Sequence, residues 1–421
     1  AANGLNSRPA VSNAIGTLRP IPKKSGLDHD RKTCPIQLTT FPLDFDFQAT
    51  TPCASEVVEA MAPFWMEQWG NPSSRQHRRG LSASAAVNLA RRQLGDTLAV
   101  PPERVVFTSG ATEANNLALL GHARFWLHGR GGPCHLISVS TEHHAVLDPL
   151  TQLRKEGCRV SLLKPDHNGL ITANQLNEAI EPDTRLVSVM AANNEIGVQQ
   201  PLMELAEVCH SHAITFHSDA AQAFGHIPLS PHALGLDLVS LSAHKIYGPK
   251  GIGALVVRDG VELEPLQWGG GQQDGLRAGT LPTALIVGFA MAARMALDDM
   301  ESRSCRVRQL RDRLWAGLQR RIPGVQLNGA IEPRLPHNLN ITIPDVRGVR
   351  LQRSLRAGIA CSSGSACSNG APSHVLQAIG RTRAQAEASL RLSLGRSTTV
   401  DEVDQAIVTI AEAAEAGRSH P

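Results

Sequence analysis

The chain has 421 residues, 42% of them hydrophobic and 19% charged, and 41 basic against 38 acidic side chains leave a formal net charge of +3. That is a globular composition with length for two or three domains, and the near balance of charge gives no footprint for nucleic acid. Aromatics are only 4% with one tyrosine, so stacking platforms for bases are not expected. No apolar stretch approaches about 18 uncharged residues, so no membrane span is expected either.

Residues 1–27 carry Arg8, Arg19, Lys23 and Lys24 with no acid before Asp28, and three prolines break them up. The stretch 1–40 is expected to be a disordered tail, an appended remnant or what is left of a transit peptide. From about residue 54 short β-rich runs alternate with helical ones. RVVFTSG (104–110) predicts a strand and ATEANNLALLGHARFWL (111–127) a helix; CHLISVS (134–140) predicts a strand and VLDPLTQLRKEG a helix. RLVSVMAA (185–192), ITFHSDA (214–220), LDLVSLSAHK (236–245) and IGALVVR (252–258) predict further strands, with LMELAEVCHSHA a helix among them. Apolar strands without strict alternation, separated by helices, indicate a parallel sheet covered on both faces. Near residue 283 the pattern turns to a long helical stretch, and an α+β portion follows. The eight cysteines are scattered and form no CxxC pair, so neither a zinc ribbon nor a disulfide framework is suggested, and a reducing compartment fits.

Three short stretches carry chemistry. LVSLSAHKIYGPKGIGAL places Lys245 directly after an apolar strand, and ligand sites in open parallel sheets lie at the carboxyl ends of strands. A partly desolvated lysine has its ammonium form disfavoured, which makes the amine a better nucleophile or base; alone, it reads rather as a lysine reaching out from a strand end. Asp219 closes a second apolar strand in ITFHSDAAQAFG. By itself it reads as a helix cap; beside an amine it supplies the carboxylate that keeps a pyridine nitrogen protonated, as pyridoxal phosphate requires. FTSGATEANN is a strand, a turn of small residues and a helix start, whose N–H groups can cradle a phosphate.

In that order these stretches carry a resemblance. The chain resembles the pyridoxal-phosphate cysteine desulfurases of the class V aminotransferase superfamily over residues 41–410. The likeness runs through DFQATTP (46–52), GNPSSRQHRRG (70–80), FTSGATEANNLAL (107–119), TEHHAV (141–146), NNEIGVQQ (193–200), HSDAAQAFG (217–225), SAHKIYGPKGIGAL (242–255), GGGQQDGLRAGT (269–280), SSGSACS (362–368) and LRLSLGR (390–396). It implies that Lys245 binds the cofactor's aldehyde and moves the Cα proton, that Asp219 pairs with the pyridine nitrogen and that Gln222 bonds the phenolic oxygen. His143 would stack on the ring and assist proton transfer. Ala111, Thr112, Ser242 and His244 would hold the phosphate together with Thr280 of a second subunit. Asn194 and Arg391 would orient the substrate, the guanidinium gripping its carboxylate.

The run IACSSGSACSNGAPSH (359–374) is too rich in Ser and Gly for a packed strand. The resemblance gives its Cys367 the sulfur-accepting role: a thiol on a loop can attack in the pocket, become a persulfide and carry sulfur away. Cys361, after an apolar segment, reads as core. The chain departs from the family at Gln48 and at Gln273–Asp274, where an acid then a base is usual, and the loop after Cys367 is about two residues shorter than in its longest-loop members.

The fold implied is that of fold type I pyridoxal enzymes: an α/β domain over 54–298 with a mostly parallel seven-stranded sheet, and a smaller α+β domain from 41–53 and 299–421. A homodimer is implied, as is the conversion of L-cysteine and an acceptor thiol to L-alanine and enzyme persulfide. The sulfur would pass to an iron–sulfur scaffold or a tRNA-thiolation relay, in the cytoplasm or, if the tail is a transit remnant, an organelle matrix. A selenocysteine lyase, a cysteine C–S lyase, a true aminotransferase and a weakly active partner subunit stand as alternatives.

Overall fold

The structure is a computed structural model and describes residues 42–363 and 372–418. The expected tail over 1–40 and the cysteine at 367 lie outside the described residues.

Seven strands form the main sheet: β1 (Val105–Thr108), β2 (His135–Val139), β3 (Arg159–Leu163), β4 (Thr184–Ser188), β5 (Thr215–Asp219), β6 (Leu238–Ser242) and β7 (Gly253–Val257), in the spatial order β1-β7-β6-β5-β4-β2-β3. β7 runs antiparallel to both β1 and β6, while every other pairing in the sheet is parallel. One face packs on a core that includes Val139, Val187, Phe216, Val239 and Leu241, and the other on Leu136, Leu186, Leu238 and Leu255. Burial on both faces is why these strands read as continuous apolar runs. The exception is β3, an edge strand whose five residues are all at least partly exposed and which opens on Arg159. Its alternating, charged sequence carries no apolar run, and the strand reading from sequence missed it.

The predicted helix after β1 forms as Ala111–Asn116 and continues helically to Gly129 through two stretches of wider i→i+5 turns. The long helical stretch divides at Asp299 into Thr283–Asp298 and Met300–Arg321. The residues after Asp219, expected to be helical, form turns instead.

A second, four-stranded antiparallel sheet consists of β8 (Gln326–Leu327), β9 (Asn338–Thr342), β10 (Ser362–Ser363) and β11 (Ser389–Ser393), in the order β10-β11-β9-β8. It packs with the helices Met300–Arg321 and Val400–Arg418 around a separate core that includes Phe45, Leu314, Ile341, Leu392 and Ile410. Cys361 is half-buried against this core, and burial pushes its thiol up to about 12.

At the other end of the main sheet β1 is an edge strand, yet its backbone is not left bare. Gln273 Nε2 donates to Phe107 O at 2.8 Å, and Gln273 Oε1 accepts from Phe107 N at 2.7 Å. Arg91 Nη2 steadies the same oxygen at 3.3 Å, with its guanidinium 4.8 Å over the Phe107 ring.

Candidate active site

The carboxyl ends of β1, β5 and β6 open into a cavity of about 680 Å³, which is the size and the place expected of a ligand site in such a sheet. Its lining includes Ala111, Thr112, His143, Asn194, Asp219, Gln222, Ser242, His244, Lys245 and Arg391. Sequence positions spread over 281 residues (391 − 111 = 280, counted inclusively) thus share one space. Thr280 does not line it and is exposed.

Lys245 ends a single helical turn directly after β6, so the strand fixes where its side chain begins. Its ammonium donates to Ala49 O at 3.0 Å and to Gln48 O. Asp219, buried at the end of β5, accepts from Asn115 Nδ2 at 2.6 Å and from Ala221 N at 2.9 Å. Those two donors fix the carboxylate's orientation. Gln222 Nε2 donates to Gln48 O at 3.1 Å, and Gln222 Oε1 accepts from Gln48 Nε2 at 3.4 Å, which sets which way the Gln222 amide faces. Gln48 is tied in turn to the second sheet, accepting from Asn338 Nδ2 at 2.6 Å.

Before the helix Ala111–Asn116 the chain turns at Gly110, where φ is 151°. A side chain there is strained, and β7 presses against it: a Cβ on Gly253 would lie 2.7 Å from Gly110 Cα. Glu113 folds back to accept from Ser109 N at 2.6 Å. Burial pushes its carboxyl up, but the paired Arg277 and Ser109 outweigh that and hold it below the usual range.

His143 Nδ1 accepts from Ala145 N at 3.0 Å, which leaves a proton for Nε2 in the neutral ring. Burial pushes its pKa down and Lys245 adds to this, with Asp219 opposing. His244 is pushed down to about 4 by burial and by Lys245 and Lys250. Glu142, the neighbour of His143, is fully buried; Met190 N donates to its Oε1 at 2.6 Å and its Oε2 has no hydrogen-bond partner among the described residues. Burial drives this carboxyl well above the usual range, assisted by Asp219 and opposed by the Met190 bond.

Several polar atoms in the cavity are buried without a hydrogen-bond partner among the described residues: Ser242 Oγ, Asn194 Oδ1, Asn115 Oδ1 and Arg391 Nε. Orphaned groups of this kind cost stability unless something meets them. A flat pyridine bearing a phosphate and an aldehyde fits the set. Ser242, Thr112 and His244 line the cavity together with Gly110, Asp219 is an oriented carboxylate, Gln222 is a fixed amide and Lys245 is an amine.

The family model described as aminotransferase class-V matches residues 44–406. A mitochondrial cysteine desulfurase of Eremothecium gossypii is 46% identical over 380 residues, covering 89% of this chain and 76% of that one. The chain belongs to the cysteine desulfurases of the class-V aminotransferase family. Among solved structures, a NifS-like protein superposes with a TM-score of 0.82 at 35% identity, covering 88% of this cysteine desulfurase and 99% of the neighbour. One described as SspA in complex with cysteine gives 0.74 at 38% identity, covering 84% and 99%. The α/β fold with a mostly parallel seven-stranded sheet is the one that the sequence implied.

Three residues lining the desulfurase cavity, Asp46, Asn115 and Ser362, and the buried Glu142 were not singled out from the sequence. Asn115 holds Asp219; Glu142 precedes His143 and accepts from Met190 N; Asp46 and Ser362 contact Arg391. All four sit inside the motifs that carry the resemblance, so their position was visible but their partners were not.

Proposed function

We propose that this chain, with pyridoxal phosphate bound, converts L-cysteine and an acceptor thiol to L-alanine and a persulfide on Cys367. The observation that carries the proposal is the convergence of Lys245, Asp219, His143 and Arg391 on one cavity whose buried polar atoms lack partners. The cofactor, when bound, supplies an electron-withdrawing ring that makes the substrate's Cα proton removable and its Sγ open to a thiol. Asp219, fixed by Asn115, would keep the cofactor's pyridine nitrogen protonated. Ser242, Thr112, His244 and the N–H groups at Ala111 hold the phosphate, and Gln222 meets the phenolic oxygen. Lys245 takes the Cα proton, and His143, with its free Nε2–H, shares in proton transfer. Asn194 and Arg391 hold the substrate carboxylate. Cys367 thiolate attacks the substrate Sγ; an S–S bond forms, the Cβ–Sγ bond breaks, and its electron pair stays on carbon, which takes a proton and leaves as alanine.

The two cores support a division into an α/β domain over 54–298 and a smaller one from 41–53 and 299–421. A homodimer belongs to the same proposal. Thr280 is exposed outside its own chain's cavity, and Trp65, Met66, Trp69 and Trp268 are exposed apolar side chains of the kind that interfaces cover. Sulfur would leave Cys367 for an iron–sulfur scaffold or a tRNA-thiolation relay, in the cytoplasm or an organelle matrix. No helix among the described residues is long and apolar enough to cross a membrane.

The test is to reconstitute the purified protein with pyridoxal phosphate, add L-cysteine, and measure alanine, sulfide and persulfide on Cys367 together. All three are expected, and Cys367→Ala should abolish them while the visible band of the bound cofactor persists. Undiminished desulfuration in that variant would overturn the proposed route.

A further inference from the structure

Arg391 is the only arginine among the described residues lining the cavity, and it does not wait there unpaired. Its Nη2 donates to Asp46 Oδ1 at 2.9 Å and to Ser362 Oγ at 2.7 Å, and its Nη1 donates to Asn194 O at 2.9 Å. Ser362 Oγ in turn donates to Asp46 Oδ1 at 2.8 Å. The arrangement is built into the second sheet: Ser362 faces Arg391 across the β10–β11 pairing, and Asp46 bridges to Ser393, two residues further along β11. Side-chain exposure is 7% for Arg391 and 27% for Asp46, so the pair is shielded on one side and wet on the other.

A guanidinium grips a carboxylate in two parallel bonds along an edge. The edge made of Nε and Nη2 has its Nε buried and without a partner among the described residues, while both N–H groups of Nη2 are engaged by Asp46 and Ser362. An incoming carboxylate therefore finds both N–H groups of Nη2 already taken and a negative charge beside them. The other carboxyl near this corner, Glu195, is engaged by Ser373 Oγ and pushed up by burial, which leaves Asp46 as the carboxylate touching the guanidinium.

We propose that Asp46 sets the affinity of the carboxylate clamp: by sharing Arg391 with the amino acid it weakens the hold on substrate and product alike, so that alanine is released. This rests on the reading that Arg391 receives the substrate carboxylate. It makes an unusual demand, that removing a charged residue from the site tightens binding.

The experiment titrates L-alanine, and separately ethylamine, into the cofactor-loaded enzyme and follows the absorbance of the bound cofactor. Ethylamine is alanine without the carboxylate. Asp46→Asn should lower the Kd for alanine by about tenfold, the scale of a partly screened charge pair, and leave ethylamine unchanged. Ser362→Ala, which frees one N–H of Nη2 and keeps the charge, should tighten alanine by about threefold and serves if Asp46→Asn does not fold. If alanine binding is unchanged or weaker in both variants while Arg391→Ala weakens it, the proposal is overturned and the clamp stands. Equal tightening of ethylamine would also overturn it, since the effect would not act through the carboxylate. If Arg391→Ala leaves alanine affinity unaltered, the clamp reading fails and takes the proposal with it.

Discussion

The two walls of the cavity meet their ligands in opposite ways. At the carboxyl ends of β5 and β6 the polar groups are oriented but left open: Ser242 Oγ is buried without a partner, and Asp219 is held by two donors that leave it facing the space. On the second sheet two of the three guanidinium nitrogens of Arg391 are engaged by Asp46, Ser362 and Asn194 before any ligand comes, while its Nε has no partner among the described residues. A group that stays bound can be met by atoms kept unsatisfied, because their cost is removed once and for good. A ligand that must come and go is better met by groups with alternative partners, so that binding is an exchange rather than a gain from nothing. On the roles proposed for these residues, permanence and turnover fall to different walls.

Four substitutions break or sharpen that contrast. Lys245→Ala should have the largest effect: alanine formation falls by about 10⁴-fold or more and the absorbance of the lysine-bound cofactor is lost, both read in one spectrophotometric assay. Arg391→Ala should lower kcat/KM for cysteine by about a hundredfold with the cofactor spectrum intact, which would separate the two walls functionally; a spectrum lost along with turnover would show that they are not separable. Asn115→Ala removes the 2.6 Å bond to Asp219, and cofactor affinity, measured by fluorescence titration of the stripped protein, should fall by about tenfold.

The smallest effect is one of pH. Burial raises Glu142 in the folded chain, so its carboxyl stays protonated in the fold at a pH where the unfolded chain has already lost the proton. As pH rises past the ordinary carboxylate value the unfolded state is favoured, and stability falls until the folded pKa is reached. Glu142→Gln removes that loss. Its Tm should match the wild type below about pH 4 and exceed it near neutrality; a Tm difference that does not change with pH would refute the protonated carboxyl.

Strand ends were the legible part of this protein. Six strands of the main sheet are apolar runs, and Lys245 and Asp219 could be placed at the ends of two of them because a buried strand determines where the next side chain points. β3 stayed hidden because an edge strand is patterned by solvent: Arg159 pairs with Glu181 and Asp183 instead of joining a core. The supporting residues were illegible for a different reason. Asn115 reaches Asp219 across 104 positions and Asp46 reaches Arg391 across 345, and no local pattern encodes a partner that only the folded topology delivers. Gln48 shows the halfway case. It stood out as a departure, but its link from Gln222 to Asn338 exists only once the two sheets are assembled.

The departure at Gln273 bears on how copies of this chain avoid one another. A bare outer strand invites an unrelated chain to lengthen the sheet. The Gln273 carboxamide offers Phe107 one donor and one acceptor, as a neighbouring peptide would, and so occupies a place on this edge where pairing with another chain could begin. A single side chain thereby acts as a dummy strand, closing the margin of the sheet without adding a residue to it.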